Sequence, residues 1–324
     1  MYYYLESFLG DKGRFTLRLP SKLPLLLPFM KNNLRVHLAL LTVSLIYGAN
    51  YTIAKDIMPA YLGASGFVFV RVLVAAVLFN LVALFRTREK VIDKKDYLQF
   101  LIAAIFGVAG NMLLFFNGLA FTSEVNASVL MLNAPIFVLI FSVFVLQDRI
   151  RLWQAIGMLI AAIGALFLIG GRAFEFSTQS ASGDIMVLLN ATSFAFYLVY
   201  VKRLLKKFTA LFVIKHLFIF GTLLVLPFAW SDLRAADYGQ FPMDIWVAIG
   251  FVAIMTTFVA YLLNAWAVQK ASPNLVASYI YLQPVIATFI AINAENQSLS
   301  LEKVIFAVVI FIGVYLVNSN RKKA

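Results

Sequence analysis

The sequence predicts an all-α integral membrane protein of about ten transmembrane helices, arranged as two inverted five-helix repeats. Three observations carry this expectation. Hydrophobic residues make up 62% of the 324 and charged residues only 13%, with a mean hydropathy of +0.89, so most side chains must face lipid. Ten segments approach the roughly 20 apolar residues needed to cross a hydrocarbon core as a helix. The chain also aligns with itself at a shift of 149 residues, pairing Ser123 with Ser272, Pro135 with Pro284, Leu152 with Leu301 and Gly164 with Gly313.

The predicted spans run Val36 to Ala54, Ser65 to Phe85, Tyr97 to Phe121, Val125 to Leu146 and Leu152 to Gly170 in the first half. Ile185 to Val201, Thr209 to Trp230, Ile245 to Val268, Leu275 to Ala294 and Leu301 to Asn318 make up the second. These runs are apolar all round, whereas a barrel strand alternates apolar and polar residues, so helices are preferred over strands. Each half holds an odd number of spans, which turns the second half upside down relative to the first. Of the 27 Lys and Arg, 21 fall on one side if the N-terminus is cytoplasmic and four on the other, Lys55, Arg172, Arg234 and Lys303. Cytoplasmic loops carry the positive excess, which places both termini in the cytoplasm of a multi-pass protein of the cytoplasmic (inner) membrane. A net charge of +12 therefore reads as topology, and no nucleic-acid partner is expected.

Residues 1–38 form an N-terminal segment, 39–169 the first repeat and 183–318 the second. Pro20, Pro24 and Pro28 interrupt the N-terminal segment, and no small-residue cleavage site comes after its short apolar run, so it is not read as a signal peptide. Met30, with Lys31 and Arg35 after it, is the expected start, and a disordered tail before it is the alternative.

Chemistry is narrowed by what is missing. The chain has no cysteine and two histidines, which removes thiolate sites and an all-histidine zinc cage, and no cofactor is expected. It has no Gly-rich phosphate loop ending in Lys-Ser or Lys-Thr. The carboxylates Asp56, Glu124, Asp148, Asp184, Glu295 and Glu302 fall at span ends or in loops, which argues against a carboxylate proton relay.

Polar groups within spans are costly in lipid and so mark candidate sites. Arg71 leads, because a guanidinium offers a two-pronged grip to a carboxylate or phosphate. Lys215 and His216 are its approximate counterparts under the repeat; snorkelling is the plainer reading of Lys215, and a structural hydrogen bond that of His216. Asn50, Asn111, Asn133, Tyr197, Tyr261 and Gln283 lie well inside their spans and are candidates to line a substrate pathway. Interhelical hydrogen bonding is the alternative role for each of them. Pro135 and Pro284, near mid-span at matched positions, should free the carbonyls of Met131 and Ile280 and act as hinges or packing kinks. Gly157, Ala161 and Ala165 form a small-residue stripe suited to close helix packing or to a homodimer contact.

Tyr47-Gly48-Ala49-Asn50 through Lys55, the run Arg71-Val72-Leu73-Val74-Ala75-Ala76, the segments Gly118 to Pro135 and Ala267 to Pro284, Asp148-Arg149-Ile150, Gly157 and Gly164 together resemble the EamA-type permeases of the drug/metabolite transporter superfamily. The resemblance covers about Ala39 to Ile169 and Gly183 to Asn318. It departs at Asn117-Gly118, where an alanine usually begins the motif, and at Glu124, whose repeat mate is Pro273. It implies a ten-helix fold with a central pathway lined by spans one to four and six to nine. Its implied function is secondary transport of small metabolites such as amino acids, with export as the favoured direction and with a small-molecule substrate and membrane lipid as partners. A membrane-embedded lipid-modifying enzyme lacks a metal cluster, a Gly-x-Ser-x-Gly or an acidic pair to work with. A receptor or scaffold would have little extramembrane surface in such short loops.

The charge asymmetry makes a direct prediction in this cysteine-free chain. Ser180→Cys should react with an impermeant thiol reagent applied from outside the cell, and Lys206→Cys should not; the reverse labelling would overturn the orientation.

Overall fold

A computed structural model describes residues 23–48, 53, 57–58, 60–86, 89–90, 93–169, 180–286, 288 and 301–319, with side chains in the first helix from Leu34 onward. The regular elements among the described residues are all helical. Seven helices among these residues are long and apolar enough to cross a membrane: α2 (Ala64–Arg86), α3 (Lys94–Phe121), α4 (Glu124–Leu146), α5 (Leu152–Ile169), α6 (Ala181–Lys207), α7 (Ala210–Ala235) and α8 (Met243–Lys270). Before them comes α1 (Leu23–Gly48), and after them α9 (Pro273–Ser278), which continues as a 3-10 turn over Tyr279–Leu282, and α10 (Leu301–Ser319). The ends of the first and ninth predicted spans, including Asn50 and Lys55, lie outside the described residues. The chain forms two compact units, Met1–Leu38 and Ala39–Ala324. The second unit contains the end of α1 from Ala39 and all of α2 to α10.

The surface of this second unit is that of a membrane protein. Phe85, Phe144 and Leu84 are 76–87% exposed, while Phe67, Phe79, Phe100, Phe212 and Phe218 are fully buried, so apolar residues occupy both the interior and the lipid-facing exterior.

Departures from regular helix recur at close to the 149-residue offset. A π-helical segment interrupts α3 at Ile105–Ala109, and another interrupts α8 at Val252–Val259. Ser123 and Ser272 each cap the next helix, with Oγ accepting from the N–H of Asn126 at 3.0 Å and of Leu275 at 3.3 Å. The backbone then loosens in both copies, at Leu132–Asn133 within α4 and over Tyr279–Leu282 after α9.

The proline expectation is corrected in its detail. Pro135 does not kink a continuous helix: the chain turns before it, through the N–H groups of Leu132 and Asn133 bonded to Val129 and Leu130 at 3.1 Å. Helix resumes at Ala134 with Pro135 in its first turn, where a missing N–H costs nothing. Pro284 likewise comes after the 3-10 turn instead of interrupting a helix.

The small-residue stripe of α5 is also consumed within the chain, and is not left for a second subunit. A Cβ on Gly313 of α10 would lie 2.5 Å from the Ala161 nitrogen and 2.6 Å from the Gly157 oxygen, and one on Gly157 would lie 2.7 Å from the Gly313 oxygen. Backbone meets backbone here, so only glycine fits.

Helix α6 is fastened at both ends. In its first turn Asp184, 2% exposed, accepts from Thr122 Oγ1, Ser180 Oγ and Asn126 Nδ2, at 2.5, 3.0 and 3.4 Å. The sequence placed Asp184 at a span end; the structure adds that it is interior, because it ties α6 to the start of α4. Near the other end Lys202 Nζ donates to the carbonyls of Val268, Gln269 and Ala271 at the close of α8, and Lys207 pairs with Asp96 of α3.

Gly313→Ala should therefore lower the detergent Tm by an amount reflecting about 1–3 kcal/mol of overpacking. Gly250→Ala, where a Cβ meets nothing within 4 Å, should leave it unchanged or slightly raised. Equal Tm values for both variants would contradict the backbone contact.

Candidate functional site

The irregular segments surround a cavity of about 100 Å³. Its wall takes Ser44 and Tyr47 from α1, Arg71 from α2, Asn111 and Phe116 from α3, Met131 from α4, Asn190 from α6, Tyr261 and Asn264 from α8, and Tyr279, Ile280 and Gln283 from the α9 region. A water needs on the order of 10–15 Å³ by such a measure, so the space suits a small solute.

Among the described residues Arg71 is the only formal charge in this wall, and it is 3% exposed. Its Nε donates to Thr257 Oγ1 at 2.8 Å and its Nη2 to Thr256 Oγ1 at 3.0 Å. The Phe116 ring lies 4.6 Å from the guanidinium carbon, a cation–π contact. Among the described residues Nη1 has no hydrogen-bond partner, and no acidic side chain lines the wall beside Arg71.

The π-helical segment of α8 explains why two adjacent threonines both serve Arg71. Thr256 donates its hydroxyl proton to Val252 O at 2.7 Å, four residues back, as in ordinary helix. Thr257 donates to the same oxygen at 2.9 Å, five residues back, which the wider π turn permits. With both protons directed at one carbonyl, both hydroxyl oxygens turn lone pairs to the guanidinium.

The matched π segment of α3 presents carbonyls to neighbouring helices, just before the wall residue Asn111. Tyr261 OH lies 3.1 Å from Gly107 O and 3.2 Å from Asn111 Oδ1. Ser193 Oγ donates to Phe106 O at 2.8 Å, and Asn190 Nδ2 donates to Asn111 O at 2.6 Å. Asn264 Nδ2 reaches Tyr47 OH at 3.5 Å, and Ser44 Oγ lies 3.0 Å from Tyr279 O.

Of the residues expected to line a pathway, Arg71, Asn111, Tyr261 and Gln283 meet here, while Asn50 lies outside the described residues. Three others are placed elsewhere. Asn133 Nδ2 donates to Leu130 O at 3.0 Å and so secures the turn within α4. Tyr197 is buried with its ring against Gly107, a close approach that a side chain at position 107 would block. His216 stacks on Phe100 at 4.8 Å and directs Nδ1 to Phe212 O at 2.8 Å, so it is not a cavity counterpart of Arg71. Lys215 lies over the Phe212 ring at 5.0 Å.

Thr256, Thr257, Tyr47, Asn190 and Asn264 complete the polar framework and were not among the leading candidates. The signal that could have found the threonines is a polar pair in the run Ile254-Met255-Thr256-Thr257-Phe258. A threonine inside a helix usually satisfies itself on its own carbonyls, so the pair carries no obvious call for a ligand.

Removing the hydroxyl of Thr256 or Thr257 should strip a buried cation of an acceptor. Thr257→Val should lower detergent stability by about 1–3 kcal/mol, and Thr257→Ser should restore most of it. Equal stability of the two variants would show that the hydroxyl does not support Arg71.

Known proteins share this architecture. The EamA-like transporter family matches residues 34–170 and again 181–319. The uncharacterized transporter YyaM of Bacillus subtilis is 26% identical over 284 residues, covering 87% of this chain and 93% of that one. An uncharacterized transporter of Archaeoglobus fulgidus is 23% identical over 290 residues, 89% of this chain and 99% of its own. A solved crystal structure superposes with a TM-score of 0.72 at 16% identity, covering 91% of this chain and 99% of its own, a likeness of fold.

Proposed function

This chain belongs to the EamA-like transporter family, and we propose that it is a secondary transporter carrying small carboxylate-bearing metabolites, amino acids among them, through its central cavity. The observation that carries this reading is Arg71: a buried guanidinium in the cavity wall, held by neutral groups, with Nη1 lacking a partner among the described residues. A buried cation without an anion is expensive, and a carboxylate on the solute would supply what the protein withholds. The guanidinium's planar fork matches a carboxylate with two parallel N–H···O bonds.

In this proposal ten helices cross the cytoplasmic (inner) membrane as two inverted repeats with both termini inside, and the solute leaves the cell by alternating access. The recurrence of a π segment and a later backbone break in each half supports a mechanism in which matched elements bend about one site. The turn before Pro135 and the 3-10 turn before Pro284 are the bending points. Helices α5 and α10, sealed against each other by glycines, act as a rigid pair outside the pathway.

Arg71→Gln should reduce uptake of labelled amino acids into proteoliposomes, per folded molecule, by about tenfold to a hundredfold, the range of a charge-assisted hydrogen bond. Arg71→Lys should retain part of the activity, keeping charge and losing the fork. Full specific activity in Arg71→Gln would overturn the carboxylate grip.

A further inference from the structure

Among the described residues a second polar atom from the same wall lacks a hydrogen-bond partner, and it is an acceptor. Asn190, 2% exposed, sits on α6 and lines the same cavity as Arg71. Its amide orientation is fixed by chemistry: the group 2.6 Å away is the Asn111 carbonyl oxygen, which can only accept, so the Nδ2 end must face it. Oδ1 is thereby turned the other way, and it has no hydrogen-bond partner among the described residues.

An orphaned donor on Arg71 and an orphaned acceptor on Asn190 thus belong to one small cavity. Each is a buried polar group whose desolvation the protein's own described groups do not compensate. The Asn111 carbonyl orients Asn190, and the Asn111 side chain meets Tyr261 in the same wall. Among the described residues no acidic side chain lines the wall, so a donor on the solute meets an amide oxygen and the faces of Tyr47, Tyr261 and Phe194 rather than a countercharge.

We propose that Asn190 is a specificity-determining residue of this carrier: its Oδ1 accepts a hydrogen bond from a donor adjacent to the solute's carboxylate, so the site selects small α-amino and α-hydroxy acids over plain carboxylates. The inference rests on the carboxylate reading of Arg71. A site with a buried acceptor rejects the analogue that lacks the donor, because binding it leaves the acceptor desolvated and unmatched. A plain carboxylate satisfies Arg71 and leaves Asn190 as it was.

The test is a ladder of three isosteric probes, L-valine, α-hydroxyisovalerate and isovalerate, bound to the purified full-length protein in detergent and measured by calorimetry. In the wild type the first two should bind at least about tenfold tighter than isovalerate. In Asn190→Leu the three affinities should converge, and in Arg71→Gln all three should weaken. Should Asn190→Leu fail to fold, the wild-type ladder alone decides. Equal wild-type affinities for the three probes, all weakened in Arg71→Gln, would overturn the role of Asn190 and leave the carboxylate grip standing. Failure of every probe to bind, or binding indifferent to Arg71→Gln, would overturn the carboxylate grip and this inference with it.

Discussion

The structure is organised by the need to keep one guanidinium satisfied in an apolar interior without giving it a countercharge. Arg71 cannot shed its proton at any relevant pH, so it must find acceptors. A nearby carboxylate would supply them but would also neutralise the site. Two threonine hydroxyls accept from the guanidinium while leaving its charge intact, and the Phe116 face adds a contact that is equally neutral. The arrangement depends on the π-helical turn of α8, since only there do side chains four and five residues on reach the same Val252 oxygen.

Irregular backbone gathers around the same cavity. Apart from water, only protein can satisfy a carbonyl exposed by a widened or broken helix turn, so such turns belong at a buried site and not at a lipid face. In α3 the π segment presents Gly107 O and Phe106 O to Tyr261 and Ser193, which links three helices around the cavity. In α4 and after α9 the helix loosens beside the wall residues Met131, Tyr279 and Gln283. By contrast α5 and α10 show no comparable break and contribute no residue to the wall.

Helix α6 connects these features. Asp184 at its start binds the turn leading into α4, Lys202 near its end binds the last carbonyls of α8, and Asn190 lies between them on the cavity. One helix thereby relates an element of the first repeat to an element of the second. A movement of either must be accommodated at one of its two polar fastenings, each made of several hydrogen bonds rather than a single ion pair.

The sequence by itself determined the membrane class, the helical character and the internal repeat, and it marked Arg71 as a charge inside a span. Each follows from composition, run length or the cost of a charge in lipid, which are properties of residues and their order. The matched Pro positions fell beside the irregular backbone, although the turn in α4 comes before Pro135 and is closed by the N–H groups of Leu132 and Asn133. Only the tertiary structure decided which polar residues share a wall. Asn133 and His216 satisfy themselves on carbonyls three and four residues back, while Asn111 and Tyr261 reach across to other helices, and nothing in residue type distinguishes the two cases. The stripe of Gly157, Ala161 and Ala165 likewise needed a partner that composition could not name, and Gly313 of α10 provides it. Thr256 and Thr257 were the hardest to foresee, because their role rests on a π turn that brings both hydroxyls to one carbonyl, which residue type does not announce.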